Sequence, residues 1–283
     1  MSGIRVVTDS ACDLPSELTA SEGISVVPLT IRFGSEELVD GQDLTTAGFW
    51  QRCERSPQLP ETAAPSPGAF EATFRELASK GADGIVCVNI SSHLSATMQS
   101  AQVAASAVAD QVPVRVIDSR FASLGQGLLV LAAARMAARG KGIEDVSGAV
   151  EDLIPRTKLI ATLDTLENLK KGGRIGGAQA FIGTMLSIKP VITVLDGAVE
   201  QESKQRTRAR SLRYLADKVR EHAPLEALAV MHGQAPDIEE MLDLLSDVVP
   251  RSEILIGSIG PVIGTHVGPR AIGVTFQSAA TAR

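Results

Sequence analysis

Four side-chain hydroxyls crowd residues 91–97, in the middle of the segment 88–102, which reads VNISSHLSATMQSAQ. An apolar strand precedes these hydroxyls and an alanine-rich helix follows them; they belong to Ser91, Ser92, Ser95 and Thr97. The first helical turn has N–H groups without intrahelical partners and carries the positive end of the helix dipole, so such a corner suits an anion. One serine, Ser91 or Ser92, would suffice to cap the helix. Helix capping and anion binding therefore both remain open.

Two further side chains could take part in chemistry. Asp9 directly follows an apolar strand, where a phosphotransfer enzyme can place its nucleophile, but the second carboxylate that such enzymes commonly carry two residues later is missing. Turn capping is the favoured role for Asp9. His266 lies among glycines in the segment GTHVGP and could either bind a ligand or make a structural hydrogen bond. No His-Glu-x-x-His motif or carboxylate cluster is present, so we predict no metal and no cofactor.

Alternating strands and helices must position these groups. Hydrophobic patterns predict helices between strands at residues 4–8, 24–33 (with a break near Pro28), 85–88 and 112–117. Such alternation is typical of parallel βαβ units, which bind ligands beyond the carboxyl ends of their strands. A polar rim is therefore expected from the residues that follow three of the strands: Thr8, Asp9, Ser10, Ser91, Ser92, Asp118 and Ser119.

The pattern changes near Pro155. Asp196-Gly197 is a two-residue hairpin signal inside an otherwise alternating pattern, which predicts a mixed sheet. We therefore expect an α/β fold of two domains: a Rossmann-like domain with a parallel sheet at 1–156 and a smaller α/β domain with a mixed sheet at 157–283. The segment GGRIGG at 172–177 does not match the dinucleotide-binding fingerprint and is interpreted as a flexible corner that presents Arg174.

Three cations alternate along the chain after the predicted hairpin. Lys204, Arg206 and Arg208 would share one face of an extended segment, and they stand out on a chain of net charge −6. We hypothesise that they form a basic patch for a protein partner. The alternative is a solvated helix start, although cations are unfavourable at that end of a helix.

Composition narrows the class of protein. The net charge of −6 argues against general affinity for nucleic acid or anionic lipid, and one Trp, one Tyr and seven Phe provide no platform for stacking bases. Three widely spaced cysteines predict neither a disulfide framework nor a zinc site. Neither a signal peptide nor a run of ~18 apolar residues is found. We expect a cytoplasmic protein without a transmembrane segment, in at most transient contact with a membrane.

Seven blocks of the sequence, in this order, resemble the DegV family of bacterial fatty-acid-binding proteins. The resemblance extends from residue 4 to 276, and the blocks are TDSACDLP, ETAAPSPGAF, SSHLSATMQSA, IDSRFASLGQGLLV, DTLENLKKGGRI, KQRTRARSL and IGPVIGTHVGPRAIGV. The resemblance implies a long-chain fatty acid held between two domains. It implies that the carboxylate is bound by Thr62, Ser92 (with Ser91 as the neighbouring candidate) and His266, with Arg174 close by.

The resemblance also suggests a partner. Some family members deliver the bound acid to a separate acyl kinase, which forms an acyl phosphate for phospholipid synthesis, and such a kinase would be the occupant of the basic patch. The chain departs from the family pattern near the carboxylate, which leaves acyl preference open. The departures are Ala63, Ala64, Ala96, Met98, Val267 and Arg270.

Two other classes of function remain as alternatives. One is an acyl- or phosphoryl-transfer enzyme that uses Asp9 or a Ser92–His266 pair. No third residue that would orient His266 as a base is recognisable, and no G-x-S-x-G motif is present, so we expect no catalytic residues. The other is a regulatory protein that senses a lipid without delivering it.

Overall fold

The N-terminal part of the chain contains a parallel four-stranded sheet. The computed structural model describes residues 3–56, 58–181 and 188–280. The sheet has the order β2-β1-β6-β7, and its strands are β1 (Ile4–Asp9), β2 (Ile24–Val27), β6 (Gly84–Asn89) and β7 (Val114–Asp118). All three neighbouring pairs are parallel, as the alternating pattern predicts.

A second, small antiparallel sheet follows β2. Its strands are β3 (Thr30–Phe33), β4 (Glu36–Val39) and β5 (Glu61–Ala63), in the order β4-β3-β5. The predicted strand at 24–33 is broken at Pro28 as expected, but its two pieces enter different sheets. Proline cannot donate to a strand ladder, and here the chain leaves the parallel sheet at that residue. This small sheet carries Thr62 at the centre of β5, opposite Ile31.

Six helices accompany these strands in the described part of the N-terminal region: α1 (Ser16–Ser21), α2 (Thr46–Arg55), α3 (Pro67–Ser79), α4 (Thr97–Ala107), α5 (Leu124–Ala138) and α6 (Ile143–Leu153). Ser66 caps α3 through the N–H of Ala69, ahead of Pro67, as the sequence predicts. Of the two alternatives for the serine segment, helix capping does not occur: neither Ser91 nor Ser92 caps α4. That helix begins only at Thr97, because the carbonyl of Ser91 closes a tight turn by accepting from the N–H groups of Leu94 and Ser95.

The C-terminal part forms a mixed six-stranded sheet. The order is β10-β9-β8-β13-β11-β12, and only β11 and β12 run parallel. The strands are β8 (Thr157–Thr162), β9 (Lys189–Leu195), β10 (Ala198–Gln205), β11 (Leu225–His232), β12 (Leu255–Ser258) and β13 (Ile272–Ser278). The predicted hairpin is confirmed: Asp196 and Gly197 join β9 to β10 with φ values of 48° and 85°, which this tight turn requires.

Four helices complete the described C-terminal part: α7 (Glu167–Lys171), α8 (Arg208–Glu221), α9 (Ile238–Leu245) and α10 (Pro261–Val267). Sheet membership changes at Thr157, the residue at which the sequence places the second domain. The division into domains stays a prediction.

Helix α5 is the layer that both large sheets share. It contacts β1 and β6 of the parallel sheet and β8, β11 and β13 of the mixed sheet. Its residues from Leu124 to Leu131 are all buried, as expected for a helix that is apolar on every face. The approach is close at Gly125, where a Cβ atom would lie 2.9 Å from Cδ1 of Leu159. The N-terminus of this helix is therefore held directly against the C-terminal part.

Candidate functional site

An aliphatic cavity of about 190 Å³ lies where the two parts of the chain meet. Leu29 and Ile90 line it from the N-terminal part, while Leu159, Ile192 and Val262 line it from the C-terminal part. Among the described residues, polar side chains interrupt this wall at only a few positions: Thr62, Ser95, Ser123, Arg174 and His266. An apolar cavity with a few convergent polar groups is the usual form of a small-molecule site.

A hydrogen bond between Thr62 and His266 joins the two parts of the chain at this cavity. The Oγ1 atom of Thr62 lies 3.0 Å from Nε2 of His266, which occupies the last turn of α10. The pKa of His266 is lowered to about 4, because burial disfavours the imidazolium ion and the charge of Arg174 opposes it further. The imidazole is therefore neutral near pH 7.

Arg174 is held beside this pair by backbone carbonyls from both parts of the chain. Its Nε donates to the carbonyl of Leu94 at 3.1 Å, and its Nη1 donates to the carbonyl of Gly172 at 2.6 Å. A Cβ atom at residue 172 would overlap Nδ1 of His266. Gly172, the first residue of the predicted corner, thus allows the backbone to pass against the imidazole. This brings the guanidinium of Arg174 and the imidazole of His266 to one end of the cavity.

The hydroxyls of the serine corner, residues 91–97, have three different roles. Ser91 is buried and donates to the carbonyl of Gly197 at 2.6 Å, across to the hairpin of the C-terminal part. Ser92 is exposed and donates to Oδ2 of Asp118 at 2.5 Å. Neither side chain lines the cavity; Ser95 does. The structure therefore places a different serine of the same corner at the site from the one that the resemblance indicates.

The sequence offers little to identify Ser95 in advance. Its hydroxyl lies 2.8 Å from Oγ1 of Thr97, and it shares the wall with Leu94 and Ala96. Three consecutive residues lining one cavity are incompatible with either helical or strand periodicity, so only the irregular turn before α4 explains this arrangement.

The predicted polar rim is present but lies outside the cavity lining. Ser10 accepts from the backbone N–H of Leu29 at 3.0 Å, and the buried Ser119 donates to the carbonyl of Phe121 at 3.1 Å. Asp9 is fully buried and accepts from the N–H groups of Ala11 and Ile90 and from the side-chain amide of Asn89. These groups organise the strand ends rather than face a ligand.

The geometry does not assemble either of the catalytic arrangements considered from the sequence. Burial, which raises the pKa of Asp9, also encloses that carboxylate among its donors. Ser92 bonds to Asp118 while His266 bonds to Thr62, so the Ser92–His266 pair is not formed.

A second, partly buried carboxyl group connects the wall of the cavity to α10. Asp13 accepts from the hydroxyl of Ser123 at 2.5 Å and from the N–H of Gly260 at 2.9 Å. Burial raises the pKa of Asp13 to about 8. This interaction was not expected from the sequence.

The basic patch is divided in the structure. The guanidinium of Arg208 forms an ion pair with Asp237, with 2.7 Å between Nε and Oδ2, and its side chain is only 15% exposed. Lys204 places its Nζ 5.2 Å from the centroid of the Phe181 ring, and Arg206 is exposed. The three cations therefore do not present one common surface.

Comparisons with known proteins identify the family to which the chain belongs. The profile described as "Uncharacterised protein, DegV family" matches residues 3–279. A DegV domain-containing protein of Streptomyces coelicolor is 36% identical over 280 residues, with 97% of this chain and 98% of that protein covered. The chain belongs to the DegV family.

Solved DegV structures share the whole fold. A fatty-acid-binding DegV family protein from Thermus thermophilus has a TM-score of 0.90 at 33% identity, covering 98% of this chain and 100% of that one. A stearic-acid-binding protein from Eubacterium ventriosum has a TM-score of 0.87 at 28% identity, covering 97% and 98% respectively. The expected α/β fold, with its parallel and mixed sheets, is thereby confirmed.

Two further properties follow from the described residues. No helix within 3–56, 58–181 and 188–280 is both long and apolar enough to cross a membrane. Across the same ranges, no group of three or more His, Cys, Asp or Glu side chains is arranged to hold a metal ion.

The partly buried acid Asp13 generates a prediction about pH. Its folded-state pKa of about 8 exceeds the ordinary value of 3.8, so the folded state retains a proton that the unfolded chain has released between these pH values. The stability that this proton contributes is complete below pH ~4 and is lost as the pH rises through about 8. Asp13→Asn keeps a donor and an acceptor but cannot titrate, so the fall in unfolding free energy between pH 5 and 9 should become shallower.

Urea unfolding at a series of pH values measures this slope. Asp110→Asn, at an exposed position, is the matched control and should keep the wild-type slope. Asp9 and Asp40, whose pKa values are also raised by burial, should leave a residual slope in Asp13→Asn. Identical slopes for wild type and Asp13→Asn would contradict the prediction.

Proposed function

We propose that this protein binds one long-chain fatty acid in the aliphatic cavity. The observation that carries the proposal is the combination of that wall with Thr62, Arg174 and His266 at one end. Fatty acids bound by DegV relatives of the same fold support it. In this proposal the ligand lies between two domains, 1–156 and 157–283, and requires no cofactor.

The wall of the cavity supplies most of the binding energy. Burying ~14 methylenes at ~0.8 kcal/mol each is worth on the order of 11 kcal/mol, whereas association costs an estimated ~4–15 kcal/mol. Each charge-assisted hydrogen bond to the carboxylate adds roughly 1.5–3 kcal/mol. The polar end therefore orients the acid and tips the balance, while the acyl chain provides affinity.

The polar end acts through a neutral histidine. Nδ1 of His266 is buried without a hydrogen-bond partner among the described atoms. Because orphaned buried N–H groups are rarer than under-satisfied acceptors, we assign the imidazole proton to Nε2, which donates it to Oγ1 of Thr62. The hydroxyl hydrogen of Thr62 is then free for the ligand carboxylate, and Arg174 supplies the positive charge. Ser95 takes the place that the sequence assigned to Ser91 or Ser92.

The protein acts as a carrier rather than a catalyst in this proposal. It presents the acid to an acyl kinase, which forms the acyl phosphate for phospholipid synthesis, and does so in the cytoplasm, where three unpaired cysteines are expected. A lipid-sensing regulator would bind the same ligand and differs only in having no kinase partner.

The exposed cations that could meet such a partner differ from the original patch. Arg206, Arg210 and Arg213, here called the arginine trio, are exposed around the first two turns of α8. Within the described ranges none of them forms an ion pair, in contrast to Arg208. Unpaired cations near a helix N-terminus are unfavourable in the isolated protein, which supports a role for the trio toward an acidic partner.

The protein as purified should carry a long-chain fatty acid. Native mass spectrometry should show a mass above that of the bare chain, and denaturation should release an acid that gas chromatography identifies. A bare mass together with no uptake of added stearate or oleate would falsify the proposed function.

Removing one hydroxyl at the polar end should weaken binding. Thr62→Val preserves the shape of the side chain but removes a hydrogen-bond partner of both the ligand carboxylate and His266. The binding free energy should therefore weaken by about 1–3 kcal/mol. Displacement of a fluorescent fatty acid measures the change. Ser92→Ala, which removes a hydroxyl outside the cavity, is the control and should bind as the parent does; equal affinities for Thr62→Val and Ser92→Ala would refute the assignment.

Replacing the arginine trio with glutamine should slow acyl-phosphate formation by the acyl kinase several-fold at low salt. The difference should shrink as salt is added, since such rim charges mainly raise association rate. Fatty-acid affinity should not change. The control carries the same change of charge at exposed positions outside the trio: Arg120 before α5, and Arg139 and Lys141 after it. Equal rates for the two triple variants at low salt would exclude the trio as the kinase surface.

A further inference from the structure

A hydroxyl lies at the end of the cavity opposite the carboxylate end, here called the deep end. Ile259, just before α10, and His266, in its last turn, both line the cavity. The five helical steps from Pro261 to His266 rise about 7.5 Å at ~1.5 Å each, and Ile259 lies two further residues before the helix. Ser123 belongs to the Ile259 end, because Asp13 accepts from both the hydroxyl of Ser123 and the N–H of Gly260.

Strand β8 leads to the same placement independently. Leu159 and Leu163 both line the cavity, and four residues at ~3.3 Å place them about 13 Å apart. Leu159 packs against Gly125, two residues beyond Ser123. Leu163 lies at the other end, next to the segment that leads through α7 to Arg174. Ser123 is therefore opposite the polar end.

Ser123 is firmly fixed and still able to accept a hydrogen bond. It is only 3% exposed, and its φ of 51° is a conformation that non-glycine residues seldom adopt. Such strain clusters at functional positions. A serine hydroxyl has one hydrogen and two acceptor lone pairs. Its single bond to Asp13 at 2.5 Å leaves at least one lone pair free, whether the hydrogen in that bond comes from Ser123 or from the protonated acid.

We propose that the deep end of the cavity recognises a hydroxyl group carried well along the acyl chain, which donates its hydrogen to Oγ of Ser123. This inference rests on the proposed function and deepens it: the ligands include mid-chain hydroxy fatty acids as well as unsubstituted ones. A ligand hydroxyl in a wholly aliphatic cavity would lose its hydrogen bonds to water without replacement and would be rejected. Ser123 removes that penalty at one position along the acyl chain.

The first test uses the wild-type protein alone. Displacement of a fluorescent fatty acid compares stearic acid with 10-hydroxystearic and 12-hydroxystearic acids. An unsatisfied hydroxyl in an apolar site lowers affinity by about fivefold or more. The tighter of the two hydroxy acids should bind within fivefold of stearic acid; if both are weaker by more than fivefold, the inference is overturned.

The second test removes the hydroxyl. Ser123→Ala should lower affinity for the better hydroxy acid at least fivefold relative to stearic acid, and an unchanged ratio would overturn the inference. Ser95→Ala is the matched control: it deletes a cavity hydroxyl at the carboxylate end and should change both affinities by one factor. If Ser123→Ala fails to fold, the wild-type comparison decides. Failure of stearic acid to bind would overturn the proposed function as well, whereas a penalised hydroxyl with stearic acid bound overturns this inference alone.

Discussion

The burial of the first half of α5, from Leu124 to Leu131, on all its faces is the constraint on which the rest of the structure depends. A helix without a polar face must be covered from every side, and here the parallel sheet and the mixed sheet cover it together. Neither sheet alone would suffice. The two parts of the chain are therefore joined by an apolar layer, and the cavity opens at the end of that layer, where α5 begins after Ser123.

This origin explains the character of the site. Its wall is the continuation of the hydrophobic core, so aliphatic side chains dominate it, and polar groups enter at its margins, from β5, from loops and from helix ends. The cavity does not collapse because hydrogen bonds outside it fix the surrounding backbone. Trp50 bonds to the carbonyl of Ile259 at 3.1 Å, and Asp13 fixes Gly260 beside it. These two contacts hold the start of α10 at its distance from α5.

The sequence predicts the architecture better than it predicts the site. Alternation of strands and helices, the break at Pro28 and the Asp196-Gly197 turn depend on local rules, so the parallel sheet and the mixed sheet follow from them. The sequence did not indicate that α4 begins only at Thr97. The turn before it is closed by the carbonyl of Ser91, a backbone interaction with no signature in residue types.

The site residues depend on contacts over long stretches of sequence. Thr62 and His266 are 204 residues apart, and nothing in their local sequence links them; only the resemblance to the DegV family named both. Ser123 and Asp13 are 110 residues apart, and no motif pointed to that pair. The pKa of Asp13 is raised by burial against residues that are distant in the sequence. The local sequence does not reveal such burial.

The residues that contribute main-chain groups to hydrogen bonds between the two parts of the chain are of two kinds, which differ in how a substitution affects the bond. At Leu94 and Ile259 the bonded group is a main-chain carbonyl, so these two hydrogen bonds do not depend on residue type. Gly197 and Gly260 also contribute main-chain groups, yet a Cβ atom there would lie 2.6 Å and 2.7 Å from the very side-chain oxygens that they bond. The hydrogen bonds at the two glycines therefore require a residue without a side chain, because the backbones approach closely there.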